Sequence, residues 1–249
     1  MPKKQMPKDT MHGRIPPISE RHHHREEDYG AQPFDYEHNP SWRIFRIMAE
    51  FVDGFHFISQ FEKSVTFFGS ARFKENNVHY RAAQKLARML AKAGYTIVSG
   101  GGPGIMEAAN KGAAEGGGVS VGLNIQLPFE QRINPYVKRA MAFNYFFTRK
   151  VMLAFSASAF VFFPGGYGTL DEAFELITLR QTHKIYPKIP IILVGEDFWG
   201  PLCEWLRENA TKKHGTIDRE ELKLWELVDS PEEALAIIKK SPARKGASF

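Results

Sequence analysis

The sequence predicts an α/β fold in which a doubly wound parallel sheet lies between two layers of helices. From residue 64 onward, short runs rich in β-branched and aromatic residues alternate with segments of helical periodicity, which is typical of a parallel sheet covered on both faces. Glycine-rich turns follow three of these runs, and open parallel sheets bind ligands beyond the carboxyl ends of their strands. These observations indicate a Rossmann-like, three-layer domain with an extra N-terminal helix.

The elements are predicted in chain order. Residues 1–39 are rich in proline, histidine and charge, and because they have almost no apolar periodicity we expect a disordered tail. A helix with a broad apolar face is predicted over 42–61, where it covers either the core or a second subunit. Strands are predicted at 65–68, 95–99, 119–123, 141–144, 159–163 and 191–194, and helices at 79–93, 104–115, 146–156, 170–181 and 198–208.

A last helix is predicted to begin at Ser230 and Pro231, because serine is a favoured N-cap and proline a favoured first helical residue. The chain has no evident internal repeat. We therefore predict one Rossmann-like nucleotide-binding domain over 40–249, with the N-terminal helix at 40–60 and the core at 64–240, preceded by the tail at 1–39.

Composition and charge exclude several classes of protein. The net charge is +5, but the first 40 residues hold six Lys or Arg against seven Asp or Glu, so we expect no nucleic-acid partner. No apolar segment approaches the roughly 20 residues that span a membrane, so we expect no membrane partner. The single cysteine, Cys203, fits a reducing cytoplasm, where we place the protein. A histidine run at 22–24 in a polar tail is more often solvated than metal-binding, and we predict no metal site.

Three turns that follow predicted strands have related glycine-rich sequences. One such turn would carry little weight, because glycine is common between strands and helices. Three turns on one edge of the sheet favour a ligand site. The predicted site residues in these turns are Gly69 and Ser70 in the first, Gly101 and Gly102 in the second, and Gly165, Gly166 and Gly168 in the third.

The third turn, at 164–172, carries the strongest signal. Its glycines let the backbone approach a ligand closely, and the helix that follows offers unpaired N–H groups and the positive end of its dipole, which together form a phosphate site. Glu172 places a carboxylate beside that site. The spacing of Thr169 and Glu172 also fits a capping box. Because a cap alone needs neither Gly165 nor Gly166, we favour a ligand site.

The sequence lacks the common nucleotide-binding fingerprints. The turns at 100–105 and 166–171 lack the third glycine of G-x-G-x-x-G and a well-placed acidic residue about 20 positions later, so NAD is not expected. The chain also has no G-x-x-x-x-G-K-[ST], and no lysine in a setting typical of a pyridoxal phosphate enzyme. We therefore expect no cofactor, and a mononucleotide or sugar phosphate held by main-chain N–H groups.

Arg149 and Lys150 are adjacent cations in an otherwise apolar predicted helix. Neighbouring helical residues point about 100° apart, so one can face the cleft while the other lies at its rim. Two solvated cations would give the same sequence pattern. Arg149 can hold a phosphate or ribose hydroxyls in a forked geometry, and beside Glu172 it would complete a charged pair around a reacting sugar carbon.

Together these residues resemble the LONELY GUY (LOG) family of cytokinin riboside 5′-monophosphate phosphoribohydrolases, which are often mislabelled lysine decarboxylases. Residues 164–172 satisfy the family motif P-G-G-x-G-T-x-x-E in full, and Arg149-Lys150 matches the pair that precedes it. The resemblance covers roughly 60–240 and includes the glycine loop at 100–106. The helix at 42–58 is similar to the extension of longer bacterial members, which form larger oligomers than a dimer.

The resemblance implies hydrolysis of the N-glycosidic bond of AMP or an N6-prenylated AMP, giving free base and ribose 5-phosphate. It implies that Glu172 stabilises an oxocarbenium-like sugar or activates water, and that Arg149 orients the ribose phosphate. It also implies a homo-oligomer, a dimer or larger, around this small-molecule substrate. The implied substrate-binding residues are Gly69, Ser70, Gly101, Gly102, Glu130, Lys150, Gly165, Gly166, Tyr167, Gly168, Thr169, Leu170, Asp171 and Thr178.

Two alternatives stay open at the level of the sequence. The glycine loops also resemble those of molybdenum cofactor carriers, which bind a phosphorylated pterin and do no chemistry. The Arg149 and Glu172 pair favours the hydrolase, because a carrier needs the phosphate site but not the paired charges. A hydrophobic slot lined by Met106 or Met152 would accept a prenyl group, but core packing explains the same residues equally well.

Overall fold

The computed structural model describes residues 40–61, 63–126, 133–155 and 157–241. The chain divides into two compact units, Met1–Arg43 and Ile44–Phe249. In the first unit the described part is the beginning of the N-terminal helix, so the tail predicted at 1–39 lies outside the described residues. The domain boundaries predicted from the sequence stay a prediction. The second unit contains the sheet.

The described residues form seven strands and seven α-helices in alternating order, and within these ranges no helix combines the length and the hydrophobicity that a membrane span requires. A π-helix, Leu206–Lys213, continues the sixth α-helix, and a 3-10 helix, Arg219–Lys223, precedes the last strand. The strands are β1 (Ser64–Phe68), β2 (Thr96–Ser99), β3 (Ser120–Ile125), β4 (Arg139–Phe143), β5 (Ala157–Phe162), β6 (Ile191–Val194) and β7 (Glu226–Val228). The helices are α1 (Pro40–Ile58), α2 (Val78–Lys92), α3 (Ile105–Glu115), α4 (Phe146–Phe155), α5 (Tyr167–Gln181), α6 (Glu196–Trp205) and α7 (Pro231–Lys240).

The strands form one parallel sheet in the order β4-β3-β2-β1-β5-β6-β7. From β1 to β4 the chain winds toward one edge, and β5 then returns to the other side of β1, with Phe67 opposite Val161. The winding therefore reverses between β1 and β5, which is where an open sheet binds its ligands. The doubly wound, Rossmann-like fold predicted from the sequence is confirmed.

Each face of the sheet carries its own apolar core, because the central strands are buried on both sides. Successive side chains of β1 point to opposite faces. Phe67 stacks with Phe163 at 6.3 Å between ring centroids, and Phe68 stacks with Phe162 at 4.6 Å on the other face. Side chains from α2, α3 and α7 build the first core, and side chains from α4, α5 and α6 build the second. This packing fixes the carboxyl edge of the sheet.

Differences from the predicted elements are concentrated near the C-terminal end. The sequence does not predict β7, because its three residues are exposed or half-buried and give no apolar alternation. The helix predicted over 198–208 begins at Glu196 and passes into the π-helix. The start of the last helix is confirmed, since Glu233 N–H donates to Ser230 Oγ at 3.3 Å and Pro231 is the first helical residue.

Candidate active site

A cleft of about 1020 Å³ lies where the winding of the sheet reverses. Its walls are the turn after β1, the turn after β5 with the first residues of α5, and one side of α4. Among its lining residues are Gly69, Ser70, Arg149, Lys150 and the whole segment 164–172. The structure therefore brings residues of all three glycine turns, with Gly100 from the second, into one cleft with Arg149, Lys150 and Glu172.

Backbone hydrogen bonds join the three glycine turns. Ser70 N–H donates to Pro164 C=O at 2.9 Å, and Ile105 N–H donates to Ser70 C=O at 2.9 Å. Gly104 makes the second contact possible, because its φ is +70° and a Cβ at this position would lie 2.2 Å from the Ser70 carbonyl oxygen. The turn after β1 is thus held between the other two, so the ligand-facing edge is one connected structure.

The N-terminus of α5 faces the cleft and is capped by Gly166, not by Thr169. Thr169 and Leu170 N–H groups both donate to Gly166 C=O, at 2.9 and 3.0 Å. Thr169 and Glu172 therefore lie inside the helix, and the capping-box interpretation of their spacing is wrong. The positive end of the α5 dipole and its first N–H groups are directed at the space where a phosphate site was predicted.

In the third turn, the fold itself requires glycine at only one of the three glycine positions. At Gly165 a Cβ would lie 2.1 Å from Thr169 Oγ1, so the turn itself excludes a side chain. At Gly166 and Gly168 a Cβ would meet no atom of the described residues within 4 Å, and neither glycine has a positive φ. The described fold does not require glycine at these two positions, which is the pattern expected where backbone must approach a ligand.

Glu172 lies in the second turn of α5, with 8% of its surface exposed, and lines the cleft. Burial raises the pKa of Glu172 to about 7; among the smaller effects, the charges of Lys150 and Arg149 lower it, and the carboxylates of Glu175 and Asp171 raise it. A carboxyl group that titrates near neutral pH can take up or release a proton under physiological conditions.

Arg149 projects from α4 into the same cleft. Its Nε is buried and has no hydrogen-bond partner among the described residues, and its guanidinium lies 5.6 Å from the centroid of the Phe146 ring. Burial lowers the pKa of Arg149 and the charge of Glu172 partly offsets this, but an arginine stays cationic. A buried, unpaired donor is costly unless a ligand completes it, so the arrangement favours an anionic ligand.

Lys150 is held by two carboxylates on the facing surface of α5. Its Nζ lies 2.8 Å from Asp171 Oδ2 and 2.7 Å from Glu175 Oε2. Burial would lower the pKa of Lys150, but the hydrogen bonds that its ammonium group donates to Asp171 and Glu175 outweigh burial and raise the pKa above its ordinary value. Arg149 and Lys150 therefore both line the cleft. Arg149 makes no ion pair with a described residue, whereas Lys150 makes two.

Four predicted site residues lie elsewhere. Gly101 and Gly102 are buried behind the cleft, where their carbonyl oxygens accept hydrogen bonds from Asn134 Nδ2 at 3.0 Å. Thr178 is exposed in a later turn of α5, and its hydroxyl donates to Phe174 C=O. Glu130 lies outside the described residues. Gly101 and Gly102 thus support the second turn without lining the cleft.

Most of the apolar wall of the cleft was not predicted from the sequence. Met106 lines the cleft as one alternative suggested, whereas Met152 is fully buried. Apolar residues give no functional signal in a sequence, because core packing has the same pattern. No group of three or more potential metal ligands was found among the described residues. The other apolar lining residues include Phe68, Phe73, Ile125, Phe146, Phe147, Leu153 and Phe198.

Comparisons with known proteins are consistent with this geometry. A family model described as possible lysine decarboxylase matches residues 106–238. Cytokinin riboside 5′-monophosphate phosphoribohydrolase LOG of Oryza sativa subsp. japonica is 31% identical over 151 residues, which cover 59% of this chain and 61% of that protein. The chain thus spans about three fifths of the length of this curated relative.

Solved structures give the same fold. The X-ray structure of TM1055, a structural genomics target, has a TM-score of 0.55 and 28% identity, and the match covers 72% of this chain and 99% of that chain. The molybdenum cofactor binding protein of Rippkaea orientalis has a TM-score of 0.53 and 21% identity, with 71% and 93% covered. The second likeness extends to the fold alone.

Proposed function

The chain belongs to the family described as possible lysine decarboxylase, the LOG family, and from this premise we propose that it hydrolyses the N-glycosidic bond of a purine nucleoside 5′-monophosphate. The products are the free base and ribose 5-phosphate. One observation carries the proposal: a buried carboxyl group with a pKa near 7, Glu172, lines the same cleft at a helix N-terminus as Arg149, whose buried Nε has no hydrogen-bond partner among the described residues.

In the proposed reaction the C1′–N9 bond breaks and its electron pair passes to the purine, which gains a proton from solvent, and Glu172 later returns to solvent the proton that it takes from the attacking water. A water molecule adds to C1′, and Glu172 stabilises the oxocarbenium-like sugar and takes the proton of that water. The first N–H groups of α5 and the Arg149 guanidinium hold the 5′-phosphate and the ribose. The apolar wall at Met106 and Phe198 receives the base.

Decarboxylation through a Schiff base is not supported by the state of the cleft lysine. Such chemistry needs a neutral amine, and a lysine becomes one at physiological pH only when its pKa is depressed. Lys150 is the one lysine among the described residues that line the cleft, and its pKa is raised by Asp171 and Glu175. We propose that Lys150 offsets the charge of its acidic neighbours on α5.

The proposal includes a cytoplasmic homo-oligomer. Ile44, Phe45, Met48 and Val52 of α1 are more than half exposed, as is Phe146 at the start of α4. Exposed apolar groups of this kind are typical of surfaces that associate with another chain.

The substrate is tested by a panel of nucleotides. Base release from AMP, N6-isopentenyl AMP and GMP, followed by chromatography, ranks kcat/KM and identifies the purine that the apolar wall accepts. The proposal expects release from at least one adenine nucleotide. Binding of all three without release from any would favour a carrier.

The pH dependence of kcat/KM is expected to follow Glu172. Because the carboxylate is the active form and its pKa is about 7, kcat/KM should rise about tenfold per pH unit below 7 and level off above it. Lys150 lowers the pKa of Glu172, so Lys150→Met should move the rising part of the pH profile to higher pH. If the rise came from ionisation of the substrate phosphate, the same substitution would leave its position unchanged. A kcat/KM that falls as the pH rises through 7 would contradict the carboxylate role.

Gly166→Ala separates ligand binding from folding. Because φ at Gly166 is −89° and no described atom lies within 4 Å of the added Cβ, we expect an unchanged Tm. The methyl group would obstruct the phosphate, and AMP affinity measured by calorimetry should fall about 10- to 100-fold, the size expected for lost hydrogen bonds to a charged group. Gly200→Ala, at a glycine of α6 that is not among the residues lining the cleft, is the control. Unchanged affinity in Gly166→Ala would place the phosphate elsewhere.

A further inference from the structure

Helix α1 contacts side chains of α4, the helix that carries Arg149. The Phe55 and Phe155 rings meet edge to face with centroids 4.6 Å apart. At Gly54, a Cβ would lie 2.9 Å from Met152 Cγ and Sδ, so the α1 backbone lies directly against the Met152 side chain of α4. α1 precedes the segment matched by the family model, which begins at residue 106. It nevertheless packs directly against a helix of the cleft.

A carboxylate from α1 caps the start of α4. Glu50 Oε1 accepts hydrogen bonds from Asn144 N–H at 2.7 Å and from Asn144 Nδ2 at 2.8 Å. Glu50 Oε2 accepts from the Thr148 hydroxyl at 2.7 Å and from Tyr145 N–H at 3.4 Å. Thr148 is fully buried and directly precedes Arg149. One side chain therefore binds the two residues before α4 and a residue in its first turn.

The negative charge of Glu50 is favourable at the N-terminus of α4. The first turn of α4 has no acidic residue of its own, so Glu50 supplies from another helix the negative charge that a helix N-terminus favours. Partial burial would raise the pKa of Glu50, but the hydrogen bonds from Thr148, Asn144 and Tyr145 outweigh it and hold the pKa below its ordinary value. Glu50 is therefore ionised at neutral pH.

We infer that Glu50 is a positioning residue, which fixes the N-terminal turn of α4 and through it holds the Arg149 guanidinium in the cleft opposite Glu172. The mechanism has two steps. Glu50 sets where α4 begins, and the buried Thr148 transmits that position to the next residue. The inference rests on the proposed function in one respect, that Arg149 binds the nucleotide.

The test compares Glu50→Ala and Glu50→Gln with Asp53→Asn, an exposed acidic residue on the same helix. Two measurements are made, amide hydrogen exchange over 144–155 and the Kd of AMP. In Glu50→Ala, loss of the cap should speed α4 exchange and raise Kd, each by about tenfold. Gln keeps one acceptor oxygen, so Glu50→Gln should retain part of the protection of α4 from exchange and part of the affinity for AMP. Asp53→Asn should match the wild type.

A double-mutant cycle separates positioning from a merely structural role. In an Arg149→Ala background, Glu50→Ala should no longer change Kd, because the group it positions is gone. The same fold-loss of affinity in both backgrounds, or wild-type exchange of α4 in Glu50→Ala, would overturn the inference. Absence of base release would defeat the proposed hydrolysis and leave this test intact. If the wild type does not bind AMP, the premise that Arg149 holds the nucleotide fails and the inference is overturned.

Discussion

Replacement of Glu172 by glutamine is expected to lower kcat for base release from AMP by about 10²- to 10⁴-fold, the range measured for the loss of a positioned acid or base. Glutamine keeps the shape of the side chain but can neither take a proton from water nor balance a cationic sugar. KM should change little, because Gly166, Arg149 and the helix N-terminus still hold the nucleotide. The measurement is steady-state kinetics with free base quantified by chromatography.

The stability of the same variant shows whether it is folded. A carboxyl group whose pKa is raised from 4.5 in the unfolded chain to about 7 in the folded state has no effect on stability below pH 4.5, where it is neutral in both states, and lowers stability progressively as the pH rises to 7. Glu172→Gln should therefore be more stable than the wild type at pH 8, by up to about 3 kcal/mol at 1.36 kcal/mol per pKa unit. The difference should vanish near pH 4. An active Glu172→Gln enzyme, or one that is less stable at pH 8, would contradict the role given to this residue.

Arg149→Ala is expected to lower kcat/KM by about 10²- to 10³-fold, as removal of a preorganised cation from a reaction centre does. Arg149→Lys should recover little of this, because an ammonium group cannot reproduce the forked contact with a phosphate or a diol. The buried Nε has no described partner, so truncation breaks no hydrogen bond at that atom and we expect the Tm to change little.

The control for Arg149 is Arg81→Ala, an exposed arginine on α2 outside the cleft lining. It removes the same charge and should leave kcat/KM unchanged. Equal losses in both variants would mean that the cleft attracts its ligand through overall charge, and that Arg149 has no specific role.

The fold could be predicted because strands buried on both faces have a recognisable apolar sequence pattern. β1 and β5 are buried on both faces, so they form uninterrupted apolar runs that stand out between amphipathic helices. The three glycine turns follow such runs directly, which placed them at one edge of the sheet. β7 is neither an uninterrupted apolar run nor followed by a glycine turn, because an edge strand of three half-exposed residues needs no apolar pattern.

The candidate site was predictable only in part. The spacing of Thr169 and Glu172 is the same in a capping box and in a helix interior, and only the position of the cap at Gly166 separates the two. The two ion pairs of Lys150 depend on how α4 faces α5. Glu50 gives no signal at all, since it lies 94 residues from Asn144 and the contact arises from packing. Tertiary contacts of this kind are not encoded in local spacing.

The most direct test of the proposed hydrolysis is to incubate the protein with a large excess of AMP and to quantify adenine and ribose 5-phosphate together. A phosphoribohydrolase releases the two in equal amounts over many turnovers, and Glu172→Gln releases neither. Recovery of intact AMP, bound in no more than one equivalent per chain and with no ribose 5-phosphate formed, would contradict hydrolysis of AMP, and the same result with N6-isopentenyl AMP would identify a carrier.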